Sequence, residues 1–114
     1  MENYSKAVIF ALAALAVIVS GCAQAQIYTV TVKDGGLIGS DYFSPDTVTI
    51  RQGDSVKWIN GDNQPHTVTS DSGSELSSDS LGEGGSYSHT FLKSGTYTYH
   101  CAIHPEMKGT VIVQ

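Results

Sequence analysis

The chain has 114 residues, of which 40% are hydrophobic and 15% charged, and it carries a formal net charge of -5 at pH 7. This length allows one small domain after removal of a targeting segment, with a core too small to provide much surplus stability. The acidic charge, without a basic stripe or a polybasic patch, argues against nucleic acid as a partner.

The N-terminal residues predict an export signal. Lys6 precedes an uninterrupted apolar run from Ala7 to Val19, and the small residues Ser20 and Gly21 follow it. A membrane-spanning helix needs about 20 apolar residues, whereas the apolar core of a signal peptide has about 7 to 15. The run therefore favours a signal peptide over a membrane span.

The end of this run predicts a lipid anchor. Val19-Ser20-Gly21-Cys22 resembles the lipobox of lipoprotein signals, in which the Cys is lipidated and becomes the new N-terminus. We predict a signal peptide over residues 1–21, a lipidated Cys22 with a short tether over 22–26, and a folded domain over 27–114. The alternatives are a secretory signal cleaved near Ala23 or Ala25 and an uncleaved helical anchor. All three place the domain outside the cytoplasm, in the periplasm or on the outer face of the cytoplasmic membrane.

The rest of the chain predicts β-structure. Seven short segments alternate apolar and polar residues or are rich in β-branched and aromatic side chains: 27–32, 47–51, 55–59, 66–69, 86–91, 95–101 and 109–113. With no helical stretch of useful length, they predict an all-β antiparallel sandwich or barrel. Between Thr69 and Gly85 the composition predicts a long surface loop, with Leu76 and Leu81 as candidates to pack on the core.

The alternation predicts which side chains face inward near the end of the chain. Tyr97, Tyr99 and Cys101 share one face, and His100 points to the other. His100 is therefore interpreted as a surface residue of the strand. His89 is interpreted as a hydrogen-bonded structural histidine.

Cys101, His104 and Met107 follow the spacing C-x2-H-x2-M and place three potential metal ligands in one loop. A thiolate, two imidazoles and a distant thioether form the donor set of blue-copper sites. His66, at the start of a predicted strand, is the candidate for the second imidazole. Zinc is a weaker candidate, because a thioether is a poor zinc ligand and an isolated C-x2-H lacks the paired spacing of structural zinc sites.

The chain resembles the cupredoxins, in particular the small plastocyanin and amicyanin type. The resemblance covers nearly all of residues 27–114 and rests on Phe43-Ser44-Pro45, Gly53-Asp54, Trp58-Ile59-Asn60, Pro65-His66 and the ligand loop from Tyr99 to Gly109. It implies an eight-stranded Greek-key sandwich with copper near one end. It also implies that His104 is the more accessible ligand, through which electrons pass.

Two positions depart from the family pattern. Thr67 follows the first ligand His where the family often has Asn, so the tie between the two ligand loops would have to come from a hydroxyl. Glu106 stands where amicyanin has an aromatic residue, and its charge would interrupt the apolar ring around the exposed His.

These features predict a single-electron carrier rather than an enzyme. The predicted metal ligands are His66, Cys101, His104 and Met107, which would bind one type 1 copper ion. The expected partners are membrane-associated redox proteins, and we expect a monomer. The alternative is copper capture or delivery by the same residues. A copper enzyme would need further histidine-ligated copper, for which only His89 and His100 remain. A disulfide between Cys22 and Cys101 is disfavoured, because Cys22 precedes the first strand.

Overall fold

The computed structural model describes residues 24–33 and 42–114. The predicted signal peptide and Cys22 lie outside these residues. The described residues form eight strands: β1 (Ile27–Val32), β2 (Phe43–Ser44), β3 (Thr47–Ile50), β4 (Ser55–Asn60), β5 (Thr69–Ser70), β6 (Ser86–Thr90), β7 (Gly95–His100) and β8 (Lys108–Val113). Within these ranges no helix is long and apolar enough to cross a membrane.

The strands form two four-stranded sheets, ordered β2-β1-β4-β6 and β3-β8-β7-β5. The predicted all-β sandwich is confirmed, with eight strands. The expected antiparallel pairing holds for four of the six strand pairs in the described residues. The other two pairs differ from it, because β1 pairs with β4, and β3 with β8, in parallel. Alternation reports which face of a strand is buried, whereas strand direction depends on how the chain crosses between the sheets.

The core lies between the two sheets and follows the alternation of the strands. Along β4, for example, Val56, Trp58 and Asn60 are buried while the residues between them are only partly so. The rings of Phe43 and Trp58 each make an edge-to-face contact with Tyr99, with centroids 4.8 and 5.4 Å apart. Such pairs add to the stabilisation that comes from burial of the rings.

The two ends of the sandwich differ in what they carry. The upper pole is where β1 and β4 end, at Val32 and Asn60, and where β7 ends and β8 begins, at His100 and Lys108. The lower pole is where β1 and β4 begin and where β8 ends. All four predicted metal ligands lie in loops of the upper pole.

The segment between Ser70 and Ser86 is a surface loop, as predicted. Leu76 is 1% exposed and Leu81 8%, so both leucines pack inward. The strand predicted over 66–69 is shorter than expected, because only Thr69–Ser70 forms a strand. His66 instead makes an isolated bridge with Leu81, which connects the loop to the upper pole.

Candidate metal centre

The upper pole brings three of the predicted ligands together. The Sγ atom of Cys101 lies 3.7 Å from Nδ1 of His66 and 3.9 Å from Nδ1 of His104. The three donor atoms all lie within 4.8 Å of one another. His66 and Cys101 are buried and His104 is half-buried, so the cluster opens to solvent on the His104 side.

The spacing of these donors fits one metal ion. Three donors in a plane, each about 2.0 to 2.3 Å from a shared ion, would be separated from one another by roughly 3.6 Å. The distances of 3.7 and 3.9 Å from the sulfur to the two ring nitrogens are close to this value. A thiolate with two imidazoles is the donor set of a trigonal blue-copper plane.

Met107 belongs to the same loop and lies beside the same cavity. Its backbone N–H donates to the carbonyl of His104 at 2.9 Å, and its carbonyl accepts a 3.0 Å bond from the N–H of Cys101. Its side chain is buried, and Met107 lines a cavity of about 300 Å³ together with His66 and His104. The loop from Cys101 to Met107 therefore closes on itself and brings the thioether residue to the ligand cluster.

Asn60 organises the loop that carries His66. Its buried side-chain amide donates to the carbonyls of Gln64 and Leu81, both at 2.8 Å, and its Oδ1 accepts from the N–H of Asp62. His66 and Leu81 exchange two backbone hydrogen bonds of 3.1 and 2.8 Å. These contacts hold the His66 backbone in place. Breaking them would leave the buried Asn60 amide without partners and would destabilise the folded protein.

Asp62 orients the imidazole of His66. Its Oδ2 lies 2.7 Å from Nε2 of His66, on the ring nitrogen opposite the one that faces Cys101. A proton held on Nε2 leaves the Nδ1 lone pair free for a metal, as is typical of histidine ligands with a carboxylate partner. The hydrogen bond from His66 lowers the pKa of Asp62, and this effect exceeds the opposing effect of burial. No pattern in the sequence predicted this role of Asp62, which stands four residues before a ligand histidine.

Thr67 connects the two ligand loops. Its hydroxyl oxygen accepts a 2.7 Å hydrogen bond from the N–H of Ala102, and its own N–H donates to Sγ of Cys101 at 3.3 Å. The expectation that a hydroxyl at this position ties the loops together is confirmed.

The environment of Cys101 favours the thiolate, which is the form that binds metals. Burial is the largest single influence on the Cys101 pKa and raises it. The opposing hydrogen bonds from the Thr67 N–H, from His66 and from His104 together lower this pKa to about 6, from an ordinary value of 9.0. Cys101 is a free thiol, not part of a disulfide.

The other two histidines lie away from the cluster. Nε2 of His89 lies 2.5 Å from a carboxylate oxygen of Glu75, and Nδ1 of His100 lies 2.6 Å from one of Asp71. The prediction of a hydrogen-bonded structural role for His89 is confirmed. His100 lies on the strand face opposite Cys101, as the alternation predicted, and its contact attaches the surface loop to β7.

The surface around His104 is partly apolar and partly charged. Ile103 is 46% exposed, Ala102 is exposed, and Glu106 is an exposed residue that lines the cavity beside His104. Glu106 therefore places a carboxylate beside His104, as predicted.

Comparison with known proteins assigns the family. The sequence matches the family described as "Cupredoxin-like domain" over residues 6–113. The chain belongs to the cupredoxins. It is 39% identical to a plastocyanin of Scenedesmus fuscus over 98 residues, which cover 75% of this chain and 99% of the plastocyanin. It is 35% identical to the amicyanin of Paracoccus denitrificans over 91 residues, covering 73% of this chain and 69% of that protein.

Solved structures of other cupredoxins share the fold. A purple cupredoxin from Nitrosopumilus maritimus superposes with a TM-score of 0.69 and 29% identity, covering 76% of this chain and 99% of the other. The amicyanin of Paracoccus versutus superposes with a TM-score of 0.64 and 30% identity, covering 82% and 84% of the two chains. Together with the donor cluster at the upper pole, family membership makes the cofactor of this cupredoxin one type 1 copper ion.

Proposed function

We propose that this cupredoxin is a single-electron carrier in which His66, Cys101, His104 and Met107 would hold one copper ion. The observation that carries the proposal is the convergence of one sulfur and two Nδ1 atoms, from loops 35 residues apart, at the distances that one ion requires. Bound copper supplies the redox chemistry by alternating between Cu(I) and Cu(II). No further histidine cluster that would suit an additional copper is present within the described residues.

The protein contributes a rigid frame for these ligands. Asn60, Asp62 and Thr67 each hold a ligand loop through hydrogen bonds. Pro65 and Pro105, each beside a ligand histidine, restrict the backbone and offer no N–H to the Cys101 sulfur. Electron transfer costs less reorganisation energy when the ligands do not move as the charge of the metal changes. A rigid frame therefore suits an electron carrier.

His104 is the proposed point of electron entry and exit. It is half-buried, whereas His66 and Cys101 are buried behind it. The exposed Ile103 beside it offers an apolar contact for a partner, and Glu106 adds a negative charge. We therefore propose partners that present a basic face to this surface, with an association rate that falls as salt rises.

The lipobox-like sequence supports an anchored protein. We propose that Cys22 is lipidated and that the domain is a monomer held at the outer face of the cytoplasmic membrane, where its donor and acceptor would be membrane-associated redox proteins. Mass spectrometry of the mature N-terminus tests the lipid on Cys22 directly.

Absorption spectroscopy and voltammetry of the copper-loaded protein test the carrier function. We expect an intense visible band from charge transfer between the Cys101 sulfur and copper, and one reversible one-electron wave. Cys101→Ser should remove the band, and His66→Gln and His104→Gln should each disrupt it. His89→Gln is the matched control, because this histidine lies outside the cluster, and it should leave the band unchanged.

Other outcomes would contradict the proposal. A copper-loaded protein without the band and without a reversible wave would not be an electron carrier. Rapid transfer of copper to an acceptor, combined with irreversible redox cycling, would instead support the alternative of copper capture or delivery.

A further inference from the structure

The described chain begins at the pole opposite the metal site. The N–H of Gln26 donates to Oδ1 of Asp54 at 2.9 Å, and the N–H of Ser55 donates to the carbonyl of Gln26 at 2.9 Å. From there β1 runs in parallel with β4 to Val32 at the upper pole. Five steps of about 3.3 Å along β1 put the two poles roughly 17 Å apart.

The carboxylate of Asp54 fastens the incoming chain to the lower pole. Its second oxygen accepts a 3.0 Å bond from the N–H of Arg51, and the Asp54 carbonyl accepts a 2.9 Å bond from the N–H of Phe91. These hydrogen bonds hold Gln26, the turn after β3 and the start of the β6–β7 loop together. Gln26, four residues after Cys22 in the sequence, is therefore fixed at the lower pole.

Large apolar side chains are exposed at this pole. Ile27 is 71% exposed and Leu92 73%, which makes them the two most exposed large hydrophobic residues in the described part of the chain. Tyr28, next to Ile27, is 36% exposed. Transfer of such an exposed apolar side chain from water into an apolar phase lowers the free energy.

Charge also distinguishes the two poles. The charges toward the lower pole balance, because the exposed Arg51 and Lys93 are matched by the carboxylate of Asp54 and by that of Glu75, which bonds to His89 near the lower end of β6. At and around the upper pole, Lys33 and Lys108 are outnumbered by carboxylates, which are Asp46, Asp62, Asp71, Asp79, Glu83 and Glu106. A negatively charged lipid surface would therefore repel the upper pole and leave the lower pole free to approach.

We propose that the lower pole is a membrane-docking surface, on which Ile27 and Leu92 enter the interface of a phospholipid bilayer while the copper site faces away from it. This inference rests on the proposed lipid anchor at Cys22 and extends it by assigning an orientation. The four residues from Ala23 to Gln26 separate the anchor from β1. A partner must therefore reach the ligand His104 above the membrane surface, at the far end of the sandwich.

Tryptophan fluorescence on vesicles tests the orientation. The full-length chain, processed in an exporting bacterium and loaded with Cu(I), is placed on phosphatidylcholine and phosphatidylglycerol vesicles with either plain or brominated acyl chains. Leu92→Trp puts a reporter at the lower pole, and Ile103→Trp puts a matched reporter at the upper pole. Trp58, the only native tryptophan, is fully buried and gives the same background in both variants.

We expect the reporter at position 92 to lose roughly half of its emission in brominated vesicles, because it reaches the boundary between headgroups and acyl chains. The reporter at position 103 should be unaffected. Equal quenching of both reporters, quenching at position 103 alone, or quenching at neither would overturn the docking surface.

Two further measurements separate this inference from the electron-carrier proposal. The visible copper band of each oxidised variant reports whether the site and the fold are intact, whatever the vesicles show. A mature chain without lipid on Cys22 would overturn the anchor and the docking surface together. The electron-carrier proposal would then still be decided by the band and the voltammetry.

Discussion

The hydroxyl of Thr67 and the backbone N–H of Ala102 form a hydrogen bond of 2.7 Å between the two loops that carry the metal ligands. Thr67 directly follows the ligand His66, and Ala102 directly follows the ligand Cys101. One side chain thus sets the distance between two segments that are 35 residues apart along the chain.

Removal of this hydroxyl should destabilise the protein. Thr67→Val keeps the shape of the side chain but leaves the partly buried N–H of Ala102 without its acceptor, at a cost of about 1 to 3 kcal/mol. Urea unfolding of the copper-free protein measures the loss. The matched control is Thr29→Val on the exposed face of β1, which should change the free energy of unfolding by less than about 0.5 kcal/mol. Equal effects of the two substitutions would show that the inter-loop bond does not contribute.

The contact between Asp62 and His66 should influence copper binding. Asp62→Asn keeps the size of the side chain but removes the negative charge next to Nε2 of His66. We expect copper affinity to fall by about 10- to 100-fold, the usual effect of removing the partner of a histidine ligand. The reduction potential should rise, because the lost charge favoured Cu(II) over Cu(I).

Competition with a chelator measures the affinity of Asp62→Asn, and voltammetry measures its potential. Glu83→Gln removes an equal charge from an exposed residue of the surface loop and serves as the control. If the two variants have the same affinity and potential, the hydrogen bond to His66 does not tune the site.

The stability of the metal-free protein should depend on pH through Cys101. The folded-state pKa of about 6 lies below the ordinary value of 9.0. The thiolate of the folded protein therefore contributes its full stabilisation above pH 9, less as the pH falls, and none below pH 6. The free energy of unfolding should rise between pH 6 and pH 9 in comparison with Cys101→Ser.

Ultraviolet absorbance of the thiolate gives the Cys101 pKa of the metal-free protein directly. A midpoint near the ordinary thiol value would show that burial outweighs the hydrogen bonds from Thr67, His66 and His104. Cys101→Ser supplies the baseline, since it lacks the titrating thiol.

Gly109 should not tolerate a side chain. A Cβ atom at this position would lie 2.3 Å from the hydroxyl oxygen and 2.4 Å from Cζ of Tyr99, a fully buried residue. Gly109→Ala would force the aromatic ring to move within a close-packed core, at a cost of about 1 to 3 kcal/mol. Thermal unfolding measures the effect. The control is Gly82→Ala, where no heavy atom lies within 4 Å of the added Cβ, so a similar loss in both variants would contradict the steric explanation.

Much of this molecule could be predicted from short stretches of sequence. The alternation in β1, β4, β7 and β8 predicted where these strands lie and which of their faces are buried. Both properties depend on residues that are close together along the chain. The spacing of Cys101, His104 and Met107 predicted one ligand loop, since three donors within seven residues share a turn. The prediction that residues 1–21 are a signal peptide and Cys22 an anchor lies outside the described residues and remains a prediction.

The tertiary structure decided the features that depend on contacts between distant segments. Three such features could not be read from any periodic pattern in the sequence. They are the parallel pairing of β1 with β4 and of β3 with β8, the contact of Asp62 with His66, and the packing of the Tyr99 ring over Gly109. Alternation specifies a buried face but neither the partner of a strand nor its direction. These follow from how the chain crosses between the two sheets, and that crossing brings His66 next to Cys101.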